Sequence, residues 1–310
     1  MKYYTIQKVF LCLSLLFLAL LMGCQGKTHC NNRVQKILDQ ISLEDQKNLE
    51  TFWRRVLKQD QFGFALFGSK AAATTGYFQR LPPGSIRVLP FEYMRRREFE
   101  AWEKHKSHFQ SKNFIWVVGT NSQCNHLESI TVVHREKFLQ VVSQHLEFFQ
   151  TYLERECTPA QLFEDLKDGN QDILLLLNKR EDLLGILLGF GKEASCEYER
   201  REELMRAMHP SPPFREETTP WGFDTLKQEY DFLWTNLSAR TDDGLEYSKN
   251  RHIFLFRPVL FMNLGSDEDE NIIKKYRKDR EKIAQLFLER NLLEVILEQI
   301  HAEKPICLEN

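Results

Sequence analysis

No C-x-x-C pair occurs in this chain, although it contains seven cysteines. That excludes a zinc ribbon and a thioredoxin-like redox pair. H-E-x-x-H and G-x-S-x-G are also missing, which removes the usual starting points for a zinc protease and for a hydrolase serine. Charge of one sign is scarce: 42 Lys and Arg face 44 Asp and Glu, a net charge of -2. No global field therefore draws the chain to nucleic acid or to an acidic membrane surface. Low-complexity tracts and long repeats are absent, so repeat arrays are excluded. The longest apolar run, Val9 to Met22, is shorter than the ~20 residues a spanning helix needs.

What that run does resemble is a secretory signal. Met1 to Lys8 carries Lys2 and Lys8 and no acid, and Ser14 is the only polar break in the apolar segment. The run closes on Leu21-Met22-Gly23-Cys24, which resembles the lipobox of bacterial lipoproteins, with Met22 a less usual residue inside it. The resemblance implies cleavage before Cys24, a diacylglycerol thioether on Cys24, and a further acyl chain on the new amine. Each buried CH₂ contributes about 0.8 kcal/mol, so two or three chains on one cysteine would hold the protein on a membrane. Gln25, not Asp, follows the cysteine. In a Gram-negative host that resembles the sorting state for the outer membrane.

The expected organisation is a signal peptide over 1–23, a lipidated tether over 24–32 and one globular domain over 33–310. Cys12 leaves with the signal and Cys24 is lipidated, so five of the seven cysteines remain: Cys30, Cys124, Cys157, Cys196 and Cys307. An oxidising compartment would allow one or two disulfides, but an odd count leaves a thiol free or paired between chains. The 23 phenylalanines point to aromatic-rich packing.

Hydrophobic period places the elements. Ser42 and Asp45 form a capping-box-like start, and Leu49, Phe52, Trp53, Val56 and Leu57 recur at helical spacing. Phe62 to Gly68 reads as a glycine-bounded strand, with Ala71 to Phe78 as its hairpin partner, and Leu81-Pro82-Pro83-Gly84 reads as a turn. Phe91 to Gln110 reads as a charged helix. Phe114 to Gly119 and Ser129 to His134 are the clearest strands and suit an antiparallel pair. Glu136 to Glu156 reads as one helix, and Thr158-Pro159 opens another. Ile173 to Leu177 and Leu183 to Leu188 read as buried helices, and Glu193 to Met208 as a charged one. A long loop is expected near 209–221, then a strand over His252 to Met262 and one or two helices over Asp267 to His301. These elements predict an α+β fold: an antiparallel or mixed sheet of about four to six strands with amphipathic helices on one side.

Several motifs invite a chemical reading. Gly189 to Ala194 fits G-x-G-x-x-A, but leucines at helical spacing precede it and Pro210 to Pro213 stands where a second strand should begin. A glycine-capped turn between helices is the expectation. Lys192 is followed by Glu193, not by Ser or Thr, so the loop is no P-loop. Asp267, Asp269 and Asn271 imitate an EF-hand opening, which Ile272 and Lys278 then break. His105 and His108 share a helix face without a third ligand, so solvated surface histidines are expected. Cys124-Asn125-His126 brings a thiol near an imidazole, at a separation that rarely gives catalytic geometry. Arg95-Arg96-Arg97, with Lys104, Lys106 and Lys112, is interleaved with Glu98, Glu100 and Glu103, which suggests intrahelical pairing. No catalytic residue, metal ligand, cofactor or small-molecule ligand emerges from these patterns.

Phe62 to Lys70 (FGFALFGSK), Leu187 to Ala194 (LLGFGKEA) and Tyr276 to Ile283 (YRKDREKI) are similar to segments of an uncharacterised group of exported proteins in chlamydia-related bacteria. The resemblance carries no established activity and assigns no catalytic residue. The expected function is that of a non-enzymatic envelope lipoprotein, held on the cell membrane or outer membrane through Cys24 and acting by binding or scaffolding toward an envelope or host protein. The alternative is a lipoprotein hydrolase using Cys124 or a histidine site.

Overall fold

The computed structural model describes residues 32–78, 90–120, 127–168, 172–208, 264–288 and 290–303. Within them the fold is mixed helix and sheet. The chain opens with α1 (32–39) and α2 (Leu43–Gln59). Ser42 caps α2 by accepting from the Asp45 N–H at 3.2 Å. Leu49, Phe52, Trp53, Val56 and Leu57 are fully buried, as their period requires. Each such side chain contributes roughly 2–3 kcal/mol by leaving water.

Phe62 to Gly68 is not a strand. Gln61 turns the chain through the left-handed region (φ 62°), and α3 (Phe62–Leu66) follows, every residue of it buried. An apolar run with no polar face carries no period, so it cannot separate a short strand from a buried helical turn. β1 (Ala72–Phe78) is a strand as expected. With its expected hairpin partner helical, β1 pairs instead with β3, far along the chain.

α4 (Pro90–His105) runs into a 3-10 turn over Lys106–Phe109. β2 (Phe114–Thr120) and β3 (Leu127–His134) then pair antiparallel, with Val118 opposite Ile130 and Gly119 opposite Ser129. The order is β1-β3-β2, with Ala72 opposite Val133 and Ala73 opposite Val132. The described sheet therefore has three antiparallel strands, fewer than the four to six expected. One expected strand is α3, and the one over 252–262 lies outside the described residues, as do the 81–84 turn and the 209–221 loop.

Helices cover both faces of the sheet, not one. Ala73, Phe114, Ile130 and Val132 face one part of the core with α2, α3 and α4, while Ala72, Val117 and Val133 face another with Phe138, Phe163 and Leu183. The cause is visible in β2, Phe-Ile-Trp-Val-Val, which is apolar at successive positions and so must be buried on both sides.

The second face is built from α5 (Arg135–Gln144), α6 (Leu146–Leu153), α7 (Pro159–Asp168), α8 (Ile173–Leu176) and α9 (Glu181–Leu187). The single helix expected over 136–156 is two, broken at His145 (φ -120°, ψ 25°). Phe138, Val142, Phe149 and Leu153 stay buried across the break, so the apolar period alone does not reveal it. Thr158 and Gln161 cap α7 reciprocally, at 2.8 and 3.2 Å. α10 (Lys192–Met208), α11 (Asp267–Leu286) and α12 (Leu292–His301) complete the fold. A capping box of Ser266 and Asp269 opens α11. No helix among the described residues is long and apolar enough to cross a membrane.

Candidate functional site

The chain places one amine in an unusual position. Lys70 follows α3 and precedes β1, and it is 1% exposed. Its approach is fixed by backbone contacts. Lys70 N–H donates to the Phe64 carbonyl at 3.0 Å, and the Ser69 N–H donates to Asp279 Oδ2 at 2.7 Å. The Lys70 side chain then runs beneath the turn joining α9 to α10. Its Nζ lies 4.5 Å from the Phe190 ring centroid and 5.4 Å from that of Tyr276. It donates to Gln61 Oε1. The left-handed Gln61 belongs to the same device, because a non-glycine residue at positive φ is held there only by surrounding contacts.

Lys70 lines an open cleft of about 220 Å³ together with Asp60, Gln61, Ala73, Thr74, Leu188 and Phe190. The one lining carboxylate is engaged elsewhere. Asp60 Oδ2 accepts from Thr75 Oγ1 at 2.8 Å and lies 3.9 Å from Arg55 Nη1. Burial pushes the Lys70 amine well below its ordinary value of 10.5. The cleft thus combines apolar walls with a buried amine, an amide and a hydroxyl. That is the make-up of a small-ligand site.

The roof is rigid. Tyr276 Oη donates to the Gly189 carbonyl at 2.6 Å, and Gly189 and Gly191 have φ of 78° and 85°. The G-x-G-x-x-A segment is therefore a glycine turn between α9 and α10, as expected. The anion position at the start of α10 is already filled from within the chain. Glu268 of α11 accepts the Lys192 and Glu193 N–H groups, each at 3.1 Å.

The other candidates fall apart or lie elsewhere. His105 is not solvated: it is buried, and its Nε2 lies 3.0 Å from Asp45 Oδ2, the oxygen that also accepts from Lys104 Nζ at 2.6 Å. These two donors, His105 first, hold the Asp45 carboxyl at about 2. The His105 and His108 rings stack at 5.9 Å. No group of three or more His, Cys, Asp and Glu among the described residues is placed to hold a metal. Lys106, in the 3-10 turn after α4, pairs with Glu103 at 2.7 Å. Lys104 and Glu98 reach instead across to α2, Glu98 meeting Arg55 at 3.1 Å. These two side chains face the neighbouring helix.

Cys157 is buried and Cys196 half-buried; both are free, and burial pushes both thiols up. Neither is an activated nucleophile. Asp267 and Asp269 open α11 as helix-start acids. Cys24, Cys30, Cys124, His126 and Cys307 lie outside the described residues.

Lys70, Gln61 and Phe190 went unrecognised as a site in the sequence because they belong to three different elements. The available signal was Lys70 itself, a lone cation between Phe62-Gly63-Phe64-Ala65-Leu66-Phe67 and Ala71-Ala72-Ala73. No family model, curated protein or solved structure matches this chain.

Proposed function

We propose that this chain is a membrane-anchored envelope lipoprotein, held by acyl chains on Cys24, whose α+β domain from residue 33 onward acts by binding a small molecule in the Lys70 cleft. The anchor rests on the basic start, apolar run and Leu21-Met22-Gly23-Cys24 of the N-terminus. Gln25 favours the outer membrane in a Gram-negative host. The binding role rests on one observation: a buried amine, held by Gln61 and two aromatic rings, lines an open cleft. A volume of about 220 Å³ suits a ligand of one-ring size, since cavities of ~150 Å³ take up benzene. Leu188 and Phe190 supply apolar wall, and Thr74 and Gln61 supply hydrogen-bonding groups.

Two measurements test the reading. Detergent phase partitioning with intact mass should place the full-length protein in the detergent phase with a lipid increment, and Cys24→Ala should lose both. A water-soluble wild type without added mass would overturn the anchor. Calorimetric titration of benzaldehyde and benzoate into full-length protein should show saturable binding of at least one, abolished by Leu188→Trp, which adds bulk to the cleft lining. Absence of binding by either compound would overturn the cleft as a ligand site.

A further inference from the structure

We propose that Lys70 captures its ligand covalently, as an imine between its Nζ and the carbonyl carbon of a small aldehyde or ketone. This rests on the cleft being a ligand site and names the chemical class it takes. Three features of the geometry converge on it. Lys70 is buried, yet it lines a cleft open enough to admit a ligand. Nζ donates to Gln61 Oε1, which fixes where the amine sits against the cleft. Two described acids of this region are engaged by other groups, Asp60 by Thr75 and Arg55 and Asp279 by the Ser69 N–H. A desolvated lysine without a counter-acid is the ordinary way to make an amine nucleophilic near neutral pH. Phe190 and Tyr276 shield it further, their ring faces turned to Nζ.

The step balances without any co-reactant. The Nζ lone pair attacks the carbonyl carbon and forms the N–C bond, while the C=O π pair moves to oxygen. One proton passes from nitrogen to that oxygen to give a carbinolamine. The C–O bond then breaks, the second nitrogen proton leaves with the oxygen as water, and the N=C bond forms. No oxidant or reductant takes part, and hydrolysis reverses the capture.

The test incubates full-length protein with benzaldehyde and sodium cyanoborohydride, then maps the reduced adduct by peptide mass spectrometry. A single saturable adduct at Lys70 is expected, forming at least about tenfold faster at pH 7 than at any exposed lysine. Its rate should rise less steeply with pH than that of exposed lysines, which gain roughly tenfold per unit below their ordinary pKa. Lys70→Met should abolish the adduct. Leu188→Trp should do so with Lys70 still in place, which keeps the test valid if Lys70→Met fails to fold. Reversible benzaldehyde or benzoate binding blocked by Leu188→Trp, with no reducible adduct at Lys70, would overturn the imine and leave the cleft standing. Failure of both compounds to bind, with labelling confined to exposed lysines, would overturn the cleft together with the imine.

Discussion

Tyr276 Oη donates to the Gly189 carbonyl at 2.6 Å. The contact ties α11 to the turn that covers Lys70, and it uses the space a side chain at 189 would need. A Cβ there would lie 2.0 Å from Tyr276 Oη, on a residue at φ 78°. Gly189→Ala should therefore cost about 3 kcal/mol, from positive-φ strain and the clash together. Tyr276→Phe should cost about 1 kcal/mol by leaving a part-buried carbonyl without its donor. The double variant should be less destabilised than the sum, because removing the hydroxyl also removes the clash. Urea unfolding of the four proteins reads this directly, and strict additivity would show that the two residues do not share the strain.

Lys70 makes the fold's stability depend on alkaline pH. Its folded pKa is depressed by burial from 10.5. Below 10.5 the unfolded chain therefore binds a proton that the folded chain resists. Stability should rise with pH through the window below 10.5, with a slope up to about 1.4 kcal/mol per unit. Lys70→Met should abolish that rise and should be more stable than wild type at pH 7. The gap should narrow as pH climbs toward 10.5. A wild type and variant with parallel stability curves from pH 7 to 10.5 would mean that Lys70 is charged in the folded state.

His134 makes the complementary prediction in acid. The residue is 1% exposed, neither ring nitrogen has a hydrogen-bond partner among the described residues, and the ring packs edge-on to Phe114 at 4.8 Å. Burial, aided by the charge of Lys137, depresses its pKa from 6.5 to about 3. The folded state thus holds His134 neutral while the unfolded state takes up a proton below 6.5. The loss should accumulate as pH falls from 6.5 to about 3, to a total on the order of 4–5 kcal/mol. His134→Phe should flatten that part of the acid limb. Stability measured at half-unit steps for both proteins gives the difference curve, which should follow a single titration.

These groups show which parts of the molecule are legible in the chain. Ser42, Thr158 and the acids before Asn271 announce helix starts because a cap is a local exchange of hydrogen bonds. β2 and β3 are legible because β-branched and aromatic residues run together, and their register follows from the short connection. Phe62 to Leu66 misleads, since an apolar run too short for a helical period looks like a strand. The pairing of β1 with β3 hides for another reason: it depends on contacts distant in sequence. The cleft is hidden likewise. α3 sets Lys70 beside Gln61, and the turn held by Tyr276 brings Phe190 to them from more than a hundred residues away. Glu268 at the start of α10 is the same case, a cap supplied from 75 and 76 residues away.

The Asp45 network joins the start of α2 to the end of α4, and its two donors should prove unequal. Asp45 Oδ2 accepts from His105 Nε2 at 3.0 Å and from Lys104 Nζ at 2.6 Å, with the His105 side chain 8% and the Lys104 side chain 64% exposed. A solvated ammonium is screened by salt and loses side-chain freedom on pairing, whereas a buried imidazole N–H is neither screened nor mobile. His105→Leu should therefore raise the Asp45 pKa from about 2 toward 3.8 further than Lys104→Met does. Added salt should weaken only the Lys104 contribution. The sign for stability follows from the depressed carboxyl: the contribution is present above pH 3.8 and lost as pH falls through about 2. Asp45→Asn should thus cost about 1 kcal/mol at pH 7 after solvent screening and nothing once the wild-type carboxyl is protonated. Carboxyl-carbon NMR titration of Asp45 at low and high salt separates the donors. A Lys104→Met shift larger than that of His105→Leu would place the interaction at the surface and not in the helix interface.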